Sequence, residues 1–324
     1  MDGLGVAERL SGISVVIPCY RTPGTLDRVC EQLLQHVAPL ADDLELVLVD
    51  DGSPDDTWDR IVEVVDAHDW VRGLRLSRNY GQHNALLAGM RAASHPVILT
   101  MDDDLQNPPS EVPRLLAALT PDIDLVYGTP VAETQTAMRN FASVGTKRLM
   151  SALLGPEVNA KLSAFRVFRR RLLVGNGLTN DPYVSIDVLL SWATTRVAVV
   201  EVEFQRRDAG TSGYTITKLI RHAFNMVTGY STRPLRAVSA LGFAISAFGF
   251  LLLIYVLARF VIEPTDVEGF TFLATAISLF SGVQLLSLGV VGEYLARMHF
   301  RTMGRPAYAV RDDIGASRFD GLGD

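Results

Sequence analysis

Residues 44–57 read Leu44-Glu-Leu-Val-Leu-Val-Asp-Asp-Gly-Ser-Pro-Asp-Asp-Thr57. Six residues of mostly apolar, β-branched character run into two adjacent carboxylates and then into turn formers. That is a buried strand delivering acid at its carboxyl end, followed by a helix from Asp56 to about Ala67. Working outward, Ile13–Ile17 reads as a preceding strand and Gly24–Val37 as a helix. Val71–Leu76 and Val97–Met101 read as further strands, with the helical stretch Gln82–Ala93 between them. Near-continuous apolar strands alternating with helices indicate a mainly parallel, Rossmann-like α/β sheet covered on both faces. Right-handed crossovers then place a ligand crevice at the carboxyl ends of the strands. Later strands are expected near Asp124–Tyr127 and Val197–Phe204.

The fourth strand also ends in acid: Met101-Asp-Asp-Asp-Leu-Gln-Asn-Pro-Pro109. Asp55 and Asp56 are accounted for as turn and helix-start residues. Three consecutive carboxylates after a buried strand are not, because crowded like charges repel unless a cation compensates them. Hard oxygen ligands of this kind suit Mg²⁺ or Mn²⁺ held by one or two carboxylates and a substrate diphosphate.

Composition bounds the alternatives. The chain has 324 residues and a formal net charge of -6. That balance argues against nucleic acid as a partner, since phosphate-backbone affinity needs a clustered basic surface. The two cysteines, Cys19 and Cys30, form neither a disulfide framework nor a metal-ligand pattern, which points to a reducing compartment. Residues 1–12 lack the apolar core of a signal peptide.

Beyond Arg236 the composition changes. Residues 237–258 and 269–292 carry no Asp, Glu, Lys or Arg, and each run reaches the roughly 20 residues that span a bilayer core of about 30 Å. Arg233 and Arg236 precede the first run, and Arg297, Arg301 and Arg305 follow the second. The intervening loop carries Glu263, Asp266 and Glu268. The positive-inside bias therefore expects two transmembrane helices in the cell membrane, a short external loop, and both termini with the large domain in the cytosol. The expected divisions are an N-terminal tail at 1–12, a catalytic domain at 13–212 and a juxtamembrane amphipathic helix at 213–234. Helices at 235–262 and 271–296 flank a loop at 263–270, and a cytosolic tail covers 297–324. The amphipathic segment suits either an interfacial helix on the headgroups or a helix packed on its own domain.

Taken together, residues 13–310 resemble the family 2 glycosyltransferases that load a sugar onto a polyprenyl phosphate. These include the dolichol-phosphate mannose synthases, the bactoprenol glucosyltransferases and the undecaprenyl-phosphate formamido-arabinose transferases. Val49-Asp-Asp-Gly-Ser53 resembles their nucleotide-binding strand end, and Asp102-Asp-Asp104-Leu-Gln106 their Asp-x-Asp metal motif. Arg78-Asn-Tyr-Gly-Gln-His83, Gly210-Thr-Ser-Gly-Tyr214, Ser231-Thr-Arg-Pro-Leu-Arg236, Gly292-Glu-Tyr-Leu-Ala-Arg297 and Arg305-Pro-Ala-Tyr308 extend the likeness towards the formamido-arabinose group. The resemblance implies a GT-A fold, a nucleotide-sugar donor, a polyprenyl-phosphate acceptor, a lipid bilayer as partner and a homo-oligomer, a tetramer in the family. It implies Pro18, Tyr20, Asp50, Asp51, Asn79, Gln82 and Asp102 at the donor, and Asp102 and Asp104 at the metal. Lys161, Arg166, Arg207, Ser212 and Tyr214 would hold the lipid phosphate, with Asp102, Asp104, Arg166 and Arg207 the catalytic group. His83 stands as either a donor contact or a structural residue.

Four departures accompany the likeness. Arg21-Thr22 replaces the usual Asn-Glu, Asp103 stands where alanine is common, and Gly213 replaces a common Lys. Asn159-Ala-Lys-Leu-Ser-Ala-Phe-Arg166 lacks the acid that relatives carry before the matching Arg. Two rivals stay open on the sequence: a non-catalytic membrane scaffold that binds nucleotide sugar, and a processive polysaccharide synthase. The latter would normally show Gln-x-x-Arg-Trp after the sheet, which the chain lacks.

Overall fold

Ile13, Val15 and Ile17 point to one face of the first strand and Val16 to the other, and all four are fully buried. This burial on both faces is why the strand is apolar throughout, and it makes the strand central. The computed structural model describes residues 9–130, 163–174, 185–204, 233–262, 270–303 and 306–315. In chain order the strands are β1 (Ile13–Cys19), β2 (Leu44–Asp50), β3 (Val71–Leu76), β4 (Val97–Thr100), β5 (Leu125–Pro130), β6 (Arg166–Arg169), β7 (Val197–Val202) and β8 (Val310–Ile314). The principal helices are α1 (Leu26–His36), α2 (Thr57–Ala67), α3 (Gln82–Ala92), α4 (Val112–Ala118), α5 (Ile186–Ala193), α6 (Arg233–Ile262) and α7 (Phe270–Thr302).

The strands form one sheet in the order β7-β5-β6-β4-β1-β2-β3-β8. β1 pairs in parallel with both β2 and β4, β2 with β3, and β5 with β7. β6 and β8 are antiparallel to their neighbours, so the sheet is mixed. Leu26, Val29 and Leu33 of α1 and Ile61, Val64 and Val65 of α2 share a core with Ile13, Val15, Ile17, Leu46 and Leu48. Leu86, Leu87 and Met90 of α3 pack on the other face with Val16, Val47, Val49 and Ile98. Gly89 permits this closeness: a Cβ there would lie 2.4 Å from Val16 Cγ1. The chain runs outward from β1 to β2 and β3, then returns to place β4 on the other side of β1. That reversal is the topological switch point at which open α/β sheets form their crevice.

Two strands depart from the sequence expectation. β6 lies inside the basic stretch Arg166–Arg171, where no strand was expected, and its Arg166, Val167 and Phe168 are buried. β8 lies in the segment read as a cytosolic tail, and it closes the sheet edge beside β3. Both strands are short and carry charge, so neither shows the apolar run that marks β1 or β2.

The chain divides into two units, Met1–Gly213 with Arg305–Asp324, and Tyr214–Gly304. In the second, α6 spans 30 residues and α7 spans 33. Phe243, Phe248, Phe250, Leu251 and Ile254 of α6 and Leu285, Leu286 and Leu288 of α7 are exposed. Counted over the described residues alone, no helix is long and apolar enough to cross a membrane. The charge-free run at 237–258 lies in α6, and that at 269–292 lies in α7 apart from its first residue. The expected amphipathic helix at 213–234 falls almost wholly outside the described residues.

Candidate active site

The carboxyl ends of β1, β2 and β4 converge on a cleft of about 300 Å³. Its lining is Pro18, Cys19, Tyr20, Asp51, Asn79, Gly81, Gln82, Asp102, Asp103 and Asp104. Register explains the meeting: Cys19 pairs with Asp50 across β1–β2, and Val16 with Thr100 across β1–β4. The residues just beyond those pairs therefore emerge side by side. Of the donor-site residues named from the sequence, Pro18, Tyr20, Asp51, Asn79, Gln82 and Asp102 share this cleft, and Asp104 joins them.

The acid at the end of β2 is committed to the protein. Asp51 accepts from the backbone N–H of Tyr80 at 2.7 Å and of Gly81 at 2.8 Å, one on each oxygen. Asp50 is fully buried and accepts from Ser53 N at 2.9 Å. Its Oδ2 has no hydrogen-bond partner and lies 3.6 Å from Arg75 Nε. Burial pushes both carboxyls up from the usual range, opposed at Asp51 by the two N–H donors and at Asp50 by Ser53. Gly52, at φ 64°, is required between them: a Cβ there would stand 2.4 Å from the Arg78 carbonyl carbon. The β2 end and the Arg78–Gly81 loop are thus locked backbone to backbone.

The acid after β4 is differently placed. Gln82 Nε2 donates to Asp102 Oδ1 at 2.7 Å, and Gln106 N donates to Asp104 Oδ1 at 3.1 Å. Thr22 Oγ1 donates to Asp103 Oδ2. Burial, with Asp102 and Asp104 alongside, pushes Asp103 up to about 6, although the Thr22 hydrogen bond opposes the shift. The cleft lining contains four carboxylates and no Lys or Arg. Among the described residues no group of three or more His, Cys, Asp or Glu side chains is arranged to hold a metal. A cation held by one or two carboxylates, with substrate phosphates and water as its other ligands, does not need such a group. Asp102 and Asp104 are the residues that would hold it.

Two departures noted in the sequence meet here. Arg21, at φ 60°, sits in the left-handed region, which turns the chain so that Thr22 reaches both Asp103 and, through its N–H, Thr57 Oγ1 at 3.1 Å. The hydroxyl at 22 and the carboxylate at 103 therefore act as a pair, which sequence reading treated as separate oddities.

Arg166 lies elsewhere. Its side chain is 1% exposed. Nε donates to Thr100 Oγ1 at 2.9 Å and Nη1 to Asp187 Oδ1, which Tyr127 also approaches at 3.3 Å. A guanidinium so enclosed makes its contacts within the domain, to Thr100 and Asp187. The carboxylate that pairs with Arg166 comes from α5, as Asp187. Only its place in a helix's first turn marks that residue in the sequence. His83 faces α5 as well, its Nδ1 accepting from Ile186 N at 3.5 Å. Lys161, Arg207, Ser212 and Tyr214 lie outside the described residues.

The comparisons bear on this geometry. The model of the family described as Glycosyl transferase family 2 matches residues 14–174. The chain is 31% identical over 315 residues to the undecaprenyl-phosphate 4-deoxy-4-formamido-L-arabinose transferase of Proteus mirabilis (strain HI4320), covering 96% of each. It is 32% identical to the protein of that name from Shewanella sediminis (strain HAW-EB3), covering 94% of this chain and 93% of the relative. Glucosyl-3-phosphoglycerate synthase from Mycobacterium tuberculosis, crystallised with Mn²⁺, UDP-glucose and phosphoglyceric acid, superposes with a TM-score of 0.52 at 23% identity. That match covers 67% of this chain and 78% of the other, and speaks for the fold. Since the relatives match along nearly their whole length, the chain belongs to glycosyl transferase family 2 and is a glycosyltransferase.

Proposed function

We propose that the protein moves one sugar from a nucleotide-sugar donor, a UDP-sugar by resemblance, to a polyprenyl phosphate at the cytosolic face of the cell membrane, with inversion. The observation that carries this reading is the cleft at the switch point, with its four carboxylates and no basic side chain. Such a lining would suit a diphosphate with a divalent cation held by Asp102 and Asp104 to offset the negative charge. The donor's nucleoside lies along β1 and β2, against Pro18, Tyr20, Asp51 and Asn79, with Asp50 buried behind them. Its diphosphate lies towards Asp102 and Asp104. A Mg²⁺ or Mn²⁺ ion bound there supplies neutralisation of charge on the departing diphosphate.

The acceptor phosphate oxygen attacks the anomeric carbon as the bond to the nucleoside diphosphate breaks. A phosphate monoester has a second pKa of about 6, so it is already ionised and needs no side chain to remove a proton. Arg207 and Lys161 are the cations proposed to orient it, with Ser212 and Tyr214 beside them. Arg166 acts one step back, its pair with Asp187 bracing Thr100 two residues before the acidic run.

α6 and α7 are proposed to enter the bilayer as a pair. At 1.5 Å per residue they reach about 45 and 50 Å, more than the roughly 30 Å hydrocarbon core requires. Their exposed Phe and Leu side chains and the two charge-free runs support this placement. Cysteine substituted for Thr265 is expected to react with an impermeant maleimide on intact cells. Labelling there only after the membrane is opened would reverse the orientation.

Membranes containing the protein, incubated with radiolabelled nucleotide sugars and undecaprenyl phosphate, test the reaction. A lipid bearing a single sugar is expected. Polymer would indicate a processive synthase, and absence of product from every donor would overturn the reading.

A further inference from the structure

The chain leaves α7 at Thr302 and within a few residues is back in the sheet. The returning segment docks through several contacts along α3 and β3. Ala307 is 2% exposed and packs in the core with Leu86 and Ala85 of α3. Tyr308 lies under the Arg91 guanidinium, 5.6 Å from its ring centroid, and its hydroxyl accepts from Arg91 Nη1 at 3.4 Å. Ala309 O accepts from Ser77 N at 2.9 Å. β8 then runs antiparallel to β3, fastened where Asp313 takes both Nε and Nη2 of Arg72 at 3.0 and 2.8 Å. A paired Arg–carboxylate contact of this kind fixes geometry as well as contributing energy.

The register of β3 on β8 shifts between Arg75 and Leu76, where Arg75 opposes Asp312 and Leu76 opposes Val310. Bulges of this sort re-aim side chains beside functional sites. Here the side chain is Arg75. Its guanidinium lies 4.0 Å from Asp312, 3.6 Å from Asp50 and 5.5 Å from the Trp58 ring centroid. The residues that follow β3 include Ser77, whose hydroxyl bonds the Tyr80 hydroxyl at 3.0 Å, and then Tyr80 and Gly81, whose N–H groups hold Asp51. Two routes therefore run from the returning segment to the acid of the β2 end. One passes through Arg75 to Asp50, and the other through Ser77 and Tyr80 to Asp51.

We propose that residues 307–314 are a positioning arm of the donor site. They set Arg75 and the 77–81 loop against Asp50 and Asp51, so that donor binding depends on polypeptide from both sides of the α6–α7 pair. This inference rests on the donor-site reading above. It assigns the segment after α7 a part in nucleotide affinity, as a support that touches no substrate itself.

The test uses the full chain in detergent. Binding of UDP, GDP and TDP is measured by calorimetry with Mn²⁺ present, and the nucleotide that the wild type binds serves as probe. Asp312→Asn removes the charge facing Arg75 while leaving the Arg72–Asp313 clamp in place, and Asp313→Ala opens the clamp. Each is expected to weaken nucleotide binding three- to tenfold, with the KM for undecaprenyl phosphate unchanged, and Asp312→Glu to restore affinity. Unchanged nucleotide affinity in Asp312→Asn would overturn the inference alone, even if Asp313→Ala failed to fold. So would equal losses for nucleotide and acceptor accompanied by a lower thermal midpoint, because that is the signature of general loosening. A wild type that bound none of the three nucleotides would remove the donor-site reading, and this inference with it.

Discussion

Two acidic strand ends face the same cleft and do different work. At the β2 end, Asp51 spends both oxygens on backbone N–H groups and Asp50 one on Ser53. These carboxylates hold a loop in shape, and the ligand meets a surface they have already built. At the β4 end, three successive carboxylates crowd together in a cleft lined by no basic side chain. Burial and mutual repulsion leave one of them, Asp103, hard to ionise. At the β2 end Asp51 is spent on holding backbone, whereas at the β4 end three carboxylates are concentrated around the cleft lining. Adjacent aspartates at a strand end look alike in sequence, and only their partners separate the two cases.

The largest expected effect breaks this comparison at the β4 end. Asp102→Asn or Asp104→Asn should lower transfer about a hundred- to a thousandfold, the scale on which loss of charge stabilisation at a reacting centre is felt. Neither should unfold the protein, since each relieves repulsion. EDTA should abolish activity and added Mg²⁺ or Mn²⁺ should restore it. Activity retained in EDTA would remove the metal from the reading.

The β2 end should respond in the opposite sense. Asp51→Asn leaves the fold one acceptor oxygen where two N–H donors require two, and presents an NH₂ group to one of them. A lost hydrogen bond to a charged group costs about 1.5–3 kcal/mol, so the thermal midpoint should fall clearly. Nucleotide affinity should weaken with it, because Tyr80 and Gly81 lose their anchor. A variant with wild-type stability would show that the loop holds its shape without this carboxylate.

Much of this arrangement was legible before any coordinates. β1, β2 and β4 declare themselves because buried parallel strands are largely apolar on both faces, and the acids that end β2 and β4 fall at fixed points of the crossover pattern. What the sequence concealed is short or distant. β6 and β8 are four and five residues long and carry charged side chains, so their pairing is decided by the strands they meet and not by their own pattern. Arg166 looked like a free cation because its partner, Asp187, lies 21 residues away on α5. Thr22 and Asp103 looked like independent substitutions because nothing local links positions 81 apart. Sequence shows which groups are present, while pairing across the sheet decides which of them remain available.

The smallest expected effect sharpens the comparison through pH. In the metal-free protein the Asp103 carboxyl sits at about 6, against 3.8 for an unburied aspartate. Below about pH 4 it is protonated both folded and unfolded, and the fold carries no penalty from it. As pH rises from about 4 to about 6, the unfolded chain releases this proton while the folded chain keeps it. The unfolded state then binds fewer protons than the native one, so stability falls with rising pH, and the loss is complete once pH passes the folded value. At about 1.4 kcal/mol per unit the loss is about 3 kcal/mol at most. Thermal midpoints measured in EDTA should therefore decline across that window, and Asp103→Asn should flatten the decline. Mn²⁺ should offset it above pH 6, where the carboxylates are ionised and able to bind, so that the midpoint gain from the ion grows with pH. Thr22→Val should move the upper end of the window to higher pH, because the hydroxyl that favours the ionised form is gone. A decline unchanged in Asp103→Asn would transfer the effect to Asp50 and Asp51, whose carboxyls burial also raises. The β2 end would then be the strained one, and the contrast between the two strand ends would be inverted.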